Sequence, residues 1–207
     1  MASIASPYGL KPVNLIGGQT YAGSTRDIRL STNNTAAIYN GDVIQLSAAG
    51  NPAALSATPT AGTTAGIVGV CMGVRYTNPA TKQSNWAQFL PANAITNGYT
   101  DVFIIVADDP DLVFQIQGTA AFGTLTNGAN GAVGKNAALG FGTAGSTTTG
   151  NSGVNLVVGA NGASLASTNT LAMRVVGVVQ GTELDAFPEI LVKFNQGVHS
   201  YYFSTGV

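Results

Sequence analysis

Apolar positions in this chain recur with a period of two or in short runs, the pattern of strands, and windows with the 3.6-residue spacing of an amphipathic helix are nearly absent. In Arg26 to Leu30 the apolar Ile28 and Leu30 alternate with Asp27 and Arg29. After the turn residues Tyr39-Asn40-Gly41, Val43 to Leu46 reads as a second strand. Ile67 to Val74 would place Val68, Val70, Met72 and Val74 on one face and Gly69, Cys71 and Gly73 on the other. A face of small residues lets another backbone approach closely. Val102 to Val106 is apolar without a break, which predicts a strand buried on both faces. Asp108-Asp109-Pro110-Asp111 then forms a turn, because Asp hydrogen-bonds its own backbone and Pro fixes φ. Leu112 to Gln117 follows with Leu112, Phe114 and Ile116 sharing a face. Met173 to Gln180 and Glu189 to Asn195 close the series, the latter with Ile190, Val192 and Phe194 inward and Glu189, Lys193 and Asn195 outward. The nearest candidate for a helix is Ser84 to Phe89, with Ser84 as N-cap and Pro91 ending it within about two turns.

These elements predict an all-β chain of about eight strands. The expected architecture is a β-sandwich or barrel-like domain over residues 26–207, with an extended N-terminal arm at 1–25. A Gly/Asn/Thr-rich insertion spans about 118–170. In it Asn127-Gly128, Asn130-Gly131 and Asn161-Gly162 favour tight hairpin turns. Hairpins are one reading of the insertion; a loosely structured loop centred on Gly142 to Gly150 is the other. The first 25 residues carry Pro7, Gly9, Pro12, Gly17, Gly18 and Gly23 beside apolar Ile4, Tyr8, Leu10, Val13, Leu15, Ile16 and Tyr21. Such a segment suits an arm laid across a neighbour, or an edge strand on its own domain.

Charge changes the picture most. Only 8% of the 207 residues are charged, against roughly 25% in ordinary soluble domains. Ala, Gly, Thr, Asn and Ser supply 109 positions. A net charge of −1 with no basic run argues against nucleic-acid binding, and 45% hydrophobic content argues against disorder. No apolar stretch approaches the ~18 residues of a membrane-spanning helix. The N-terminus has no recognisable signal peptide, so a cytoplasmic origin is expected. Lone Cys71 has no partner for an internal disulfide or a Cys-x-x-Cys metal site, and its small-residue strand face predicts a packed, inert thiol.

Little in the sequence converges on catalysis. His199 is the single histidine and lies in a strand-like aromatic segment, which favours a structural role. No Gly-x-Ser-x-Gly elbow occurs, and Gly128 to Asn136 misses the spacing of a phosphate loop. Asp108, Asp109 and Asp111 read as a turn in preference to a calcium loop, since Pro110 breaks the alternation and the terminal Glu is absent. Asp101 and Asp108 flank a buried strand instead of sharing a pocket, and Glu183 with Asp185 lies in a loop, so no carboxylate pair for acid/base work stands out. No catalytic, cofactor-binding or metal-ligating residue is assigned, and no cofactor is expected.

Ala5-Ser6-Pro7-Tyr8-Gly9-Leu10-Lys11-Pro12-Val13 with Gly17-Gly18, Tyr39 to Ile44, Gly66 to Val70, Asp108-Asp109-Pro110 before Phe114 to Gln117, and the closing His199 to Val207 resemble small structural proteins of tailed bacteriophage virions. The nearest group is the head decoration, or cement, proteins of podovirus-like phages. The resemblance implies a non-enzymatic β protein, made in the host bacterial cytoplasm and located on the outer surface of the phage capsid. Its expected partners are the major capsid protein and further copies of itself, as a dimer or trimer, with no membrane or nucleic acid. Its contact residues would be Tyr8, Leu10, Pro12 and Val13 of the arm and Tyr201, Tyr202 and Phe203 of the aromatic tail. Another virion component, a major capsid or tail-tube protein, is the alternative. The rival of a different class is a carbohydrate-binding module, with Trp86, Tyr76 and Phe89 as a sugar platform.

Overall fold

The structure, a computed structural model, describes residues 4–30, 34–47, 50–57, 66–195 and 197–202. Strand accounts for 41% of the described residues, and the one α-helix among them is the three-residue α1 (Asn130–Ala132), so the all-β expectation holds. One six-stranded sheet runs in the order β1 (Lys11–Leu15), β10 (Leu112–Gln117), β14 (Glu189–Phe194), β13 (Met173–Val178), β11 (Asn136–Gly140) and β12 (Asn155–Val157). The second runs β2 (Arg26–Arg29), β9 (Thr100–Ala107), β6 (Ile67–Thr77), β4 (Val43–Leu46) and β5 (Pro52–Ala54), with β7 (Ser84–Ala87) also paired to β6. A ribbon of β3 (Ile38–Tyr39) and β8 (Phe89–Leu90) lies beside it. The strand pairs are antiparallel.

Two hydrophobic cores result, and β6 serves both. In the larger, Phe114, Ile116, Met173, Ile190 and Val192 of the first sheet pack with Val43, Ile67 and Val70 of the second. In the smaller, the other face of the second sheet presents Ile44, Val68, Cys71, Val74, Ile104 and Val106 to Ile38 and Leu90 of the ribbon and to Ala94. The alternation expected for β6 is therefore broken: Val68 and Val74 face one core, while Val70 and Met72 face the other. Register shifts between Ile44 and Gln45 and between Cys71 and Gly73 are the cause, since each bulge flips the side chains that follow. The small-residue reasoning holds at Gly69, where a Cβ would stand 2.1 Å from the Ala107 carbonyl oxygen.

β9 departs from the sequence in a different way. Val102, Ile104 and Val106 are buried in the smaller core, but Phe103 and Ile105 are only half-buried. The larger core covers the second face only as far as Val70 and Ala107. An apolar run with the pattern of a doubly buried strand thus has one face partly open.

Ser84 to Phe89 is extended, not helical. Trp86, Asn85 and Ser84 are weak helix formers, and the long β6 offers backbone partners from Val74 to Thr77. In the insertion, β11 and β12 form a hairpin that joins the first sheet. Its long connection is docked, with Ser152 N–H donating to the Asn40 carbonyl and Gly145 pressed against the Tyr39 ring. The Asn-Gly pairs do not sit in hairpin turns. Asn127-Gly128 lies in a π-helical turn, Asn130-Gly131 in α1 and Asn161-Gly162 in a 3₁₀ turn. Asn195 is buried instead of outward, its amide donating to the Leu171 carbonyl.

Candidate assembly surface

Residues 4–15 lie on their own domain. Ser6 N–H donates to the Gln117 side chain, whose amide donates back to the Ile4 carbonyl, and β1 then pairs along the edge strand β10. Of the arm residues expected to meet a neighbour, Leu10 is completely buried in the larger core. Burying a leucine stabilises by roughly 2 kcal/mol, so its side chain serves this fold and not a contact. Tyr8 donates its hydroxyl to the Glu189 carboxylate while Lys11 Nζ sits 4.2 Å from its ring centroid. Burial, reinforced by the Glu189 charge, pushes the Tyr8 hydroxyl well above its ordinary pKa. Pro12 is half-buried at a register shift in β1, and Val13 is exposed.

The aromatic tail is fastened to the turn that joins β9 to β10. Asp109 caps this turn by accepting the Asp111 N–H at 2.8 Å. Tyr201 donates to Asp108 at 2.6 Å and Tyr202 to Asp111 at 2.9 Å. Arg26 Nε lies 2.8 Å from Asp108, and Lys193 Nζ lies 2.5 Å from Asp111. The bonds from Lys193 and Tyr202 hold the Asp111 carboxyl below the usual carboxylate range. Desolvation first, then Asp108, pushes the Tyr201 hydroxyl up to about 12. Beneath them His199 is fully buried against Phe194 and Tyr201. Its Nδ1 accepts the Tyr201 N–H at 3.3 Å; Nε2 makes no well-formed hydrogen bond and has at most a weak one to the Val68 backbone. Burial lowers its pKa, keeping the ring neutral. Phe203 lies outside the described residues.

Arm and tail meet at this turn. Ile16 N–H donates to the Asp111 carbonyl at 2.8 Å, next to the carboxylate that holds Tyr202. A cavity of about 450 Å³ opens between them, lined by Ile16, Arg174, Val176, Lys193, Asn195 and Tyr202 among others. Ile16 and Tyr202 remain 42% and 41% exposed at its rim, a patch in which an apolar and an aromatic group are held by hydrogen bonds yet only partly covered by their own chain. Sequence reasoning singled out Tyr202 as a contact residue, but it placed Ile16 only among the apolar arm positions, Glu189 only on an outward strand face and Asp111 only in a turn.

Asp42 organises another part of the molecule. Asp42 is buried and accepts from the Ser152 hydroxyl at 2.5 Å and the Tyr39 N–H at 2.8 Å. Around it the Asn40-Gly41-Asp42 backbone bonds to Leu10, Cys71, Gln88 and Ser152. Gly41 (φ +92°) and Gly9 (φ +79°) touch through their backbones, and a Cβ on Gly9 would stand 2.6 Å from the Gly41 oxygen. Desolvation raises the Asp42 pKa, against the hydrogen bonds that favour its charged form. Buried Cys71 is pushed up to about 12 by the same desolvation, consistent with an inert thiol.

The residues weighed as a sugar platform do not converge. Tyr76 packs edge-on to Tyr99 beside the smaller core, and Phe89 stacks on Tyr39. Trp86, 69% exposed, instead stands over Arg75 on the other face of β6. Among the described residues no three His, Cys, Asp or Glu side chains group as metal ligands, and no helix is long and apolar enough to cross a membrane. No protein family, no curated protein and no solved structure matches this chain.

Proposed function

We propose that this chain is a non-enzymatic structural protein of a phage virion, a decoration protein that binds the outer surface of the head and braces it against internal DNA pressure. The observation that carries this reading is the convergence of arm and tail on the Asp108–Asp111 turn, which fixes Ile16, Tyr201 and Tyr202 as a rigid, partly apolar patch. Rigid aromatic anchors bind with little loss of side-chain entropy. Many copies engaging a symmetric shell turn weak contacts into tight attachment. The sheet edges also support attachment through faces: β1 carries Pro12 and a register shift, β2 is three-quarters charged, and β5 begins with Pro52.

Co-sedimentation with undecorated heads tests the proposal. Saturable binding that falls about tenfold in Ile16→Ser and Tyr202→Ala, each still folded, supports it. A protein that stays in the supernatant at saturating concentration sinks it.

A further inference from the structure

The open face of the second sheet carries an ordered row of side chains. Arg29 on β2 is the cross-strand partner of Phe103 on β9, Phe103 that of Arg75 on β6, and Arg75 that of Trp86 on β7. Directly opposed residues of antiparallel strands share a face. The Arg75 guanidinium accordingly lies 4.3 Å from the Phe103 centroid and 5.9 Å from that of Trp86. Asp27 stands 3.6 Å from Arg75, and Asp101 stands 4.0 Å from Arg29. The face holds two cations and two anions beside the half-buried Phe103 and Ile105 and the exposed Trp86.

We propose that this face is an interface with a second copy of the same chain. The order Arg-Phe-Arg-Trp is self-complementary. A two-fold axis parallel to the strands, between β9 and β6, reverses it, so that Arg29 faces the second copy's tryptophan and Phe103 faces its Arg75. Every guanidinium then meets an aromatic ring, an attraction that strengthens when water is excluded. In the adjoining row Ile105 lies beside Gly73, and the same axis sets each isoleucine over the hollow that the facing glycine leaves. Balanced charge removes the repulsion that like faces would otherwise suffer, as a closed isologous contact requires. The pairing also covers the face of β9 that its own chain leaves open.

This inference deepens the expected homo-oligomer but rests on the face alone, so head binding and self-association can fail separately. Sedimentation equilibrium of the full chain without heads is the test. The wild type is expected to dimerise in the micromolar range, and Trp86→Ala to weaken the dimer at least tenfold while leaving the melting temperature unchanged at concentrations low enough to keep both proteins monomeric, because Trp86 is mostly exposed in the single chain. Arg75→Glu should do the same. Proteins carrying Arg29→Cys and Trp86→Cys, mixed and treated with a short bismaleimide, should cross-link to each other more than either does alone; Cys71 is buried. Within one chain the two positions are three strand spacings apart, ~14 Å, so the mixed product reports the facing pair. A wild type that stays monomeric, association indifferent to Trp86→Ala, or no preference for the mixed pair would each overturn the proposal. A face that then proves to bind heads or a sugar belongs to another occupant.

Discussion

Asp42 and Asp111 each tie together segments distant in sequence, under opposite conditions. Asp42 is buried, its partners are a hydroxyl and a backbone N–H, and the backbone around it does most of the holding. Asp111 lies near the surface, its partners are an ammonium and a phenol, and side chains do the holding. With no cation in reach of its hydrogen bonds, the first carboxyl is pushed up in pKa by desolvation; the second is held down by Lys193. The difference separates a structural knot from a surface latch. Losing a buried acceptor leaves its donors unsatisfied, while losing an exposed one returns them to water.

The largest expected effect is at the knot. Gly41→Val puts a branched side chain at φ +92° against the backbone of Tyr8 and Gly9, and should cost about 3 kcal/mol or more in chemical denaturation. Asp42→Ala strands the Ser152 hydroxyl and the Tyr39 N–H, and should cost about 2 kcal/mol by the same measurement. A loss under ~0.5 kcal/mol in both would abolish the distinction between knot and latch.

The pH dependence of stability should differ in sign between the two. Asp42, raised in the folded state, contributes stability that is complete below the ordinary carboxylate pKa of 3.8 and is lost as pH rises through its folded value. Asp42→Asn should flatten that decline. The latch behaves conversely. His199, lowered by burial, contributes stability that is present above 6.5 and is lost as pH falls through its folded value. Asp111 contributes stability present above 3.8 and lost at still lower pH. Thermal melts across the acid range of the two Asp→Asn variants separate these slopes; parallel profiles would refute the contrast. The smallest effect is Tyr202→Phe, which removes one partly exposed hydroxyl bond and should cost ~0.5 kcal/mol while loosening the tail in hydrogen exchange.

How much of this was legible beforehand depended on the range of the interactions. β14 follows its alternation closely, because the strand's own side chains decide which face is buried, and Leu112, Phe114 and Ile116 of β10 share the larger core as read, although Val113 and Gln117 are buried as well. The turn at Asp108 to Asp111 was legible for the same local reason. The bulges of β6 were not, since a register shift is set by the partner strands and leaves no mark in the bulged strand's composition. The docking of residues 4–15 stood as one of two readings, and only the fit of Leu10 beneath Gly41 decides between them. The knot joins Asp42 to Ser152 across 110 positions, and neither residue stands out alone. The ladder of Arg29, Phe103, Arg75 and Trp86 draws on four strands whose order no single segment encodes.

The docked connection between β11 and β12 has a consequence for proteolysis. Surface loops are where proteases usually make their first cut, and this is a long one, yet from residue 136 to 173 the chain contains no lysine or arginine. Trypsin-like enzymes have nothing to recognise there, and Gly145 and Gly153 pin the connection against Tyr39 and Thr143 on either side of its exposed stretch. A stretch that looks in sequence like the softest part of the molecule thus carries no site at which a trypsin-like enzyme would cut.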